Sequence, residues 1–266
     1  MLVMDGKVIR HFQTKEAFFC VFILFALLLF SSSAFAAMPL TTDDAYTVEK
    51  GMFQLEVGFD AARQDNHDKE FSPFVTLTYG LFERMDVGAG SAYLFVDPNE
   101  GKNENGLGDT EVKVKYHFID QKDWIPHFAL SGTLKIPTAS ESKGLGSGKM
   151  DFNVNTIFTW NLSERWQLYS NLGYTFIGEH HVDNECNYSV AVQFALSKEW
   201  ALVGEVVGVN NFNGHKSDDP FSGLFGIQYM LSDNLVWDAG VEIGMNKAAP
   251  DFRFTTGLTL FFKPWH

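Results

Sequence analysis

The stretch that decides the fold is Met52-Phe53-Gln54-Leu55-Glu56-Val57-Gly58-Phe59-Asp60. Its apolar side chains occupy every second position, with polar or small residues between them. Successive side chains of a β-strand point to opposite faces, so this period of two predicts a strand with one apolar face and one polar face.

Similar alternating stretches recur through the chain, separated by turn-forming residues. The pattern predicts twelve strands at 51–61, 70–81, 85–96, 108–118, 126–137, 150–160, 165–177, 187–197, 200–210, 221–231, 235–245 and 251–262. Strands of about ten residues with this alternation are typical of barrels whose outside contacts lipid and whose inside contacts water. The predicted fold is therefore all-β: a transmembrane antiparallel up-and-down β-barrel of about 12 strands, residues 51–266, that follows a cleaved signal peptide.

The predicted connections alternate in length. Short turns join strands two and three (Phe82-Glu83-Arg84) and strands eight and nine (Lys198-Glu199), whereas the intervening connections are generally longer and polar, such as residues 138–149. Short periplasmic turns and longer extracellular loops are usual in bacterial outer-membrane barrels. This pattern predicts localisation in the bacterial outer membrane.

Tryptophan supports the same topology, because its amphipathic ring favours the membrane–water interface. All six tryptophans fall on the side of the short turns: Trp124, Trp160, Trp166, Trp200, Trp237 and Trp265. Phenylalanine and tyrosine are predicted at the opposite rim: Phe59, Phe71, Tyr93, Phe95, Phe152, Tyr174, Phe176, Tyr188, Phe252 and Phe254.

The chain begins with basic residues, an apolar run of fourteen residues (Ala17 to Phe30) and the sequence Ala34-Phe35-Ala36. This order is typical of a signal peptide, so residues 1–36 are predicted to be removed. Residues 37–50 are interpreted as a periplasmic N-terminal segment. The chain has a net charge of −13, which argues against nucleic acid as a partner; the predicted partners are the lipid bilayer, the barrel insertion machinery and a small-molecule solute.

The phase of each strand assigns an inward face. The candidate pore-lining residues on that face are Glu56, Asp86, Glu111, Lys113, Lys115, His117, Lys135, Asn153, Glu205, Asp238, Glu242 and Arg253. We expect the four bases among them to pair with acids across neighbouring strands. A barrel of twelve strands is intermediate between a filled interior and an open channel, so we expect a narrow lumen or one partly blocked by the N-terminal segment or a loop; a polar conduit and structural packing are both open interpretations.

Catalytic and metal-binding patterns are weak. Outward Ser91 and Ser170 lack an accompanying outward histidine, which a lipase triad would need. Loop histidines and aspartates, including His180 and His181 near Cys186, have no spacing that fixes a protease or a zinc site. The run Gly144 to Lys149 lacks the full phosphate-loop spacing and its strand–loop–helix context. No catalytic residue, metal ligand or cofactor is predicted, and the protein is not expected to be an enzyme.

Two stretches carry a family resemblance. One is Gly106-Leu107-Gly108-Asp109 before the strand at Glu111; the other is Lys135-Ile136-Pro137-Thr138, followed by Gly144-Leu145-Gly146-Ser147-Gly148 and Asp151-Phe152-Asn153. The chain resembles the outer-membrane barrel family labelled "MetA-pathway of phenol degradation" or transporter. This resemblance implies uptake of small aromatic or other apolar compounds.

The leading functional prediction is an outer-membrane channel or transporter for passive uptake of small solutes through a polar lumen. The alternative is a non-conducting structural or adhesive barrel that acts through its extracellular loops. An enzyme would require a close Asp–His pair at the rim.

Overall fold

A computed structural model of the protein describes residues 38–64 and 68–263. It contains twelve strands: β1 (Phe53–Arg63), β2 (Lys69–Phe82), β3 (Met85–Asp97), β4 (Glu104–Ile119), β5 (His127–Ile136), β6 (Asp151–Asn161), β7 (Trp166–Phe176), β8 (Glu185–Ala195), β9 (Trp200–Asn210), β10 (Phe221–Ser232), β11 (Leu235–Gly244) and β12 (Phe252–Phe262). Two short 3-10 turns lie in loops, at Glu141–Lys143 and Lys216–Asp218. None of the helices in the described part of the chain has the length and apolar character needed to cross a membrane.

The strands form one closed antiparallel barrel in which each strand pairs with its neighbours in sequence. Closure is made by β1 and β12, which pair over eleven positions from Phe53–Phe262 to Arg63–Phe252 without a register shift. Because the last strand pairs with the first, the sheet has no open edge. The predicted up-and-down barrel of twelve strands is confirmed.

The two faces of the sheet differ as the alternation requires. Apolar side chains on the outer face are exposed by more than a third of their surface: Val57, Val75, Leu77, Val114, Leu130, Leu134, Leu172, Val190, Val206, Phe225, Val241 and Leu258. A band of apolar side chains around the outside is the surface that lipid acyl chains solvate. The residues between them in sequence point into the barrel.

Most strand boundaries agree with the prediction to within two residues, but β4 begins four residues earlier, at Glu104. The added residues pair with β3 from Val96–Glu104 to Tyr93–Leu107, beyond a register shift that follows Ser91. Gly106 is a residue typical of loops, so the sequence pattern places the start of the strand after it, at Gly108. The β-bulge absorbs the mismatch and lets pairing continue toward the long-loop end.

The aromatic residues lie in two belts. Trp124 lies in the β4–β5 turn, and the other four described tryptophans lie in strands near short turns: Trp160, Trp166, Trp200 and Trp237. At the opposite rim, the rings of Phe59 and Phe71 have centroids 5.2 Å apart, and those of Phe152 and Phe176 are 6.4 Å apart. The predicted sorting therefore holds for the described residues, whereas Trp265 and the predicted signal peptide lie outside them.

A charged side chain introduced on the lipid-facing surface should destabilise the barrel by a measurable amount. The test substitution is Val190→Arg, at the middle of β8. The control is Leu196→Arg, in the β8–β9 turn. The two native side chains are similarly exposed, at 46% and 49%. We expect Val190→Arg to lower the free energy of unfolding from vesicles by about 2–4 kcal/mol and Leu196→Arg to lower it by about 0–1 kcal/mol. Denaturant titration in phospholipid vesicles measures both, and equal losses would contradict a lipid-facing β8.

Candidate functional site

The interior of the barrel holds the N-terminal segment, residues 38–50. The structure places these residues against the inward side chains of the strands. Just before β1 the segment forms a parallel bridge between Lys50 and Gly80 of β2. A Cβ atom at Gly80 would lie 2.1 Å from the carbonyl oxygen of Glu49, so this close approach requires glycine at that position.

Backbone amides of the segment donate hydrogen bonds to inward side chains on four strands. Glu205 of β9 accepts from the amides of Thr41 and Thr42, at 2.8 and 2.9 Å. Three further amides donate to Asn171 of β7 at 2.8 Å, Thr159 of β6 at 2.9 Å and Asp86 of β3 at 2.9 Å. The segment forms no helix or strand of its own, so these side chains satisfy backbone groups that would otherwise be buried without partners.

Asp43 is the electrostatic anchor of the segment. Its carboxylate forms ion pairs with Lys113 and with Lys115, the latter at 3.2 Å. Lys113 and Lys115 are alternate residues of β4 and share its inward face. The Lys115 ammonium also donates to the carbonyl oxygen of Asp44 at 3.2 Å. A single carboxylate of the segment thus lies between two lysines and reduces their mutual repulsion.

The pKa values of the adjacent residues Asp43 and Asp44 are shifted in opposite directions. Burial alone would raise the pKa of Asp43, but Lys113 and Lys115 outweigh it and hold that pKa well below its ordinary value. Burial raises the pKa of Asp44 to about 6, with Lys115 opposing the shift. The Asp44 carboxylate accepts a hydrogen bond from the amide of Tyr46 at 2.7 Å.

Apolar contacts complete the attachment of the segment. Ala45 is fully buried in a cluster with inward Ala129 and Ile157. Pro39 packs against inward glycines: a Cβ atom at Gly226 would lie 2.7 Å from its ring, and one at Gly240 would lie 3.1 Å away. Glycine on β10 and β11 therefore makes room for the segment.

Part of the inner wall is apolar, which the sequence analysis did not predict. Eight apolar side chains at inward positions are less than 9% exposed: Ala129, Ile157, Tyr169, Ala191, Ala201, Val203, Leu224 and Val236. Their apolar character matches that of lipid-facing side chains, so polarity does not mark them as inward. The strand phase, applied without regard to polarity, would have identified them.

At the end of the barrel with the short turns, the ring of Tyr46 packs beside two inward histidines. Its centroid lies 4.9 Å from that of His127 and 6.4 Å from that of His117. The Tyr46 hydroxyl and the Asn161 side-chain amide are hydrogen-bonded, with the amide nitrogen 2.8 Å from the hydroxyl oxygen. Tyr46 thus places an aromatic ring and a polar tip at this mouth of the lumen.

At the opposite end, Lys135 of β5 lies between two carboxylates. Its ammonium is 2.5 Å from Asp151 and 3.6 Å from Asp109, and it donates to the Ser147 hydroxyl at 3.1 Å. Ser147 belongs to the β5–β6 loop, whose Leu145 is buried. The glycine-rich run in this loop is followed by strand β6 and not by a helix, so it lacks the context of a phosphate-binding loop.

The observed charge pairing corrects part of the prediction. Arg253 pairs with Glu242 of the neighbouring strand, as expected, and also lies 4.0 Å from Asp60. Lys113 and Lys115, however, pair with Asp43 of the segment and not with an acid of a neighbouring strand. The strand phase could not identify this partner because Asp43 lies outside the alternating pattern.

The twelve candidate residues fall into two groups. Six contact the N-terminal segment through hydrogen bonds, ion pairs or ring packing: Asp86, Lys113, Lys115, His117, Glu205 and Arg253. The remaining six lie elsewhere on inward positions of the strands: Glu56, Glu111, Lys135, Asn153, Asp238 and Glu242. Within this second group, Asn153 donates to Thr175 at 2.9 Å, so it takes part in the network that links neighbouring strands.

A closed barrel with an apolar outer band and a lumen lined largely by polar groups defines a bacterial outer-membrane β-barrel protein. A family model described as "MetA-pathway of phenol degradation" matches residues 36–262, and the chain belongs to this family. A comparison with curated protein sequences finds no match.

Solved structures of outer-membrane channels share the fold. An outer membrane channel from Pseudomonas putida F1 is 12% identical with a TM-score of 0.66, and the match covers 84% of this chain and 100% of that one. The NanC porin is 10% identical with a TM-score of 0.55, covering 78% of this chain and 98% of that one. The KdgM porin is 9% identical with a TM-score of 0.53, covering 79% and 99%. At these identities the likeness concerns the fold.

Loss of the Asp43 charge should loosen the segment. Asp43→Asn leaves Lys113 and Lys115 without their shared counter-ion. Because hydrogen bonds to charged groups contribute about 1.5–3 kcal/mol, we expect the amides of Thr41 and Thr42 to exchange hydrogen about 10- to 100-fold faster. Hydrogen-exchange mass spectrometry measures this, with Asp151→Asn as a control that removes the acid paired with Lys135. Unchanged exchange in Asp43→Asn would show that the ion pairs do not hold the segment.

Asp44 should make the free energy of unfolding of the barrel depend on pH between about 4 and 6. Its folded pKa of about 6 exceeds the ordinary value of 3.8, so the folded state binds a proton between these pH values that the unfolded state does not. Stability contributed by Asp44 is present below about pH 4 and is lost as pH rises through 6. Denaturant titrations at pH 4, 5, 6 and 7 should show this loss in the native protein relative to Asp44→Asn; parallel curves would contradict the raised pKa.

Proposed function

We propose that this protein is a passive outer-membrane channel for small solutes, with the barrel lumen as the pathway and the N-terminal segment as its restriction. The observation that carries the proposal is the closed barrel whose inward positions bear charged and polar side chains along its length. Membership of the family and the shared fold with channels and porins support it. The twelve candidate residues line the pathway in this proposal.

The inner wall suits solutes with an apolar part. Apolar residues of the wall, including Ile157, Val203 and Leu224, are at most 4% exposed, so a solute would reach them by displacing the segment. Apolar surface with a few placed polar groups is the composition that binds small organic molecules. We therefore propose small aromatic or other apolar compounds as the solutes, in agreement with the phenol-degradation description of the family.

The charges of the lumen favour cations. The proposed pore lining contains six acids and four bases, and the segment adds Asp43 and Asp44. A narrow passage lined by an excess of one charge attracts ions of the opposite sign. An aromatic cation is therefore a suitable probe of both properties.

A second candidate function has a specific observation in its favour. The segment is bonded to several strands and fills part of the lumen, as expected of a non-conducting barrel that acts through its extracellular loops. Transport measurements separate this candidate from the channel.

Conductance in planar bilayers tests the proposal. We expect the native protein to show a small cation-favouring conductance, and a variant lacking residues 38–46 to show a larger one because the restriction is removed. Asp43→Lys, which places a third positive charge beside Lys113 and Lys115, should also raise the conductance. Asp97→Lys, on the long-loop side of the barrel, serves as the control for added positive charge.

Solute preference is measured from reversal potentials with benzylammonium on one side and choline on the other. Greater permeability of benzylammonium would support the aromatic or apolar assignment, and equal or lower permeability would count against it. Bilayers that stay sealed with the native protein and with both segment variants, after confirmed insertion, would overturn the channel and favour the non-conducting barrel.

A further inference from the structure

Three side chains with metal-ligating groups converge at the short-turn end of the lumen. His117 lies near the end of β4, Asp120 lies in the following turn, and His127 is the first residue of β5. One ligating atom from each lies within 4.8 Å of the others. A register shift between His117 and Ile119 brings the end of β4 and the turn together here, on the inward side of the hairpin.

Three oxygen or nitrogen atoms with lone pairs surround His117 Nε2. The carbonyl oxygen of Ile119 is 2.8 Å away, His127 Nδ1 is 3.4 Å away and Asp120 Oδ1 is 3.5 Å away. The backbone amide of Gln121 donates to His127 Nδ1 at 3.2 Å, so this nitrogen is unprotonated, and a bound metal would take over its lone pair from the Gln121 amide. A proton on His117 Nε2 then has two free acceptors, the Ile119 carbonyl oxygen and the Asp120 carboxylate, and a single proton cannot bond fully to both.

From this arrangement we propose that His117, Asp120 and His127 bind a divalent transition-metal ion of the zinc type. Zn²⁺ binds imidazole nitrogen and carboxylate oxygen at about 2.0–2.1 Å, and neighbouring ligands of a tetrahedral ion are then about 3.3 Å apart. The distances from His117 Nε2 to His127 Nδ1 (3.4 Å) and to Asp120 Oδ1 (3.5 Å) agree with this ligand–ligand distance. Three protein ligands leave a fourth position for water or another donor.

An outer contact already orients Asp120. Arg84 forms a hydrogen bond and ion pair with Asp120 Oδ2, which leaves Oδ1 directed toward His117. Groups that hold ligands in place in this way are typical of metal centres. Binding would release the His117 Nε2 proton to solvent, because the ligating nitrogen must be unprotonated.

The position of the site suggests its role. The metal would join β4, the β4–β5 turn and β5 into one rigid unit, and the ring of Tyr46 packs against both ligating histidines. The ion would thereby stabilise the surface on which this part of the N-terminal segment rests. This inference does not depend on whether the barrel conducts solutes.

Zinc binding to the whole untagged barrel in detergent tests the proposal. After EDTA treatment and its removal, isothermal titration with Zn²⁺ alone should show one saturable ion per chain. His127→Gln and Asp120→Asn should each lose this binding, and Arg84→Gln should weaken it by about 10- to 100-fold, as for other outer-contact variants. The double variant His180→Gln/His181→Gln, which removes two exposed loop histidines, should bind like the native protein.

Two further measurements keep the result interpretable. Heat-modified mobility on gels verifies that each variant is a folded barrel, and a variant that fails this check is replaced by His117→Gln. Zinc-edge X-ray absorption of the native complex should show two imidazole ligands. Absence of saturable binding, binding unchanged by His127→Gln, or loss of binding in the loop double variant would each overturn the site.

Discussion

Pairing of β1 with β12 is the constraint on which the rest of the structure depends. The hydrocarbon core of a bilayer offers no hydrogen-bond partners, so every backbone amide and carbonyl at that depth must be satisfied by the protein. Closing the sheet achieves this for all twelve strands at once. The same closure creates an enclosed interior, and the polar side chains that face it must then find partners inside the barrel.

The N-terminal segment supplies many of those partners. Lys113 and Lys115 share one face of β4, and without Asp43 their charges would be adjacent in a confined space. Glu205 accepts from two backbone amides of the segment, so its charge is also compensated by donors from outside the strands. The segment and the inner wall are therefore mutually dependent: the wall satisfies the backbone of the segment, and Asp43 of the segment provides the counter-ion of Lys113 and Lys115.

Sequence alternation predicted the barrel and the number of strands, because a period of two follows directly from strand geometry. The spacing of the strands then predicted which end of the barrel carries the short turns, which carries the long loops, and where the aromatic belts lie. It also assigned the inward phase of the polar residues on each strand. Partial blockage of the lumen by the N-terminal segment was one expectation, but the individual contacts of residues 38–50 could not be predicted in the same way. Thr42 and Asp43 belong to no repeating pattern, and their contacts with Glu205 and Lys113 join residues far apart in the chain.

The bulge that extends β4 and the convergence of His117, Asp120 and His127 were missed for a related reason. Both depend on register shifts between paired strands, and a shift changes the side-chain phase without a clear mark in a single sequence. The apolar inward residues, such as Ile157 and Val203, were missed because polarity was used as the criterion for the inner face. In a barrel whose interior is partly filled, apolar packing inside is physically reasonable.

The covalent link at Gly51 makes the segment an intramolecular competitor for the interior. A short tether holds its groups at an effective concentration on the order of millimolar relative to their partners in the wall. Any molecule that uses the same wall residues must displace a ligand that cannot diffuse away and that rebinds as soon as the guest leaves. The barrel would therefore bind such molecules more weakly, and release them sooner, than a barrel without the segment.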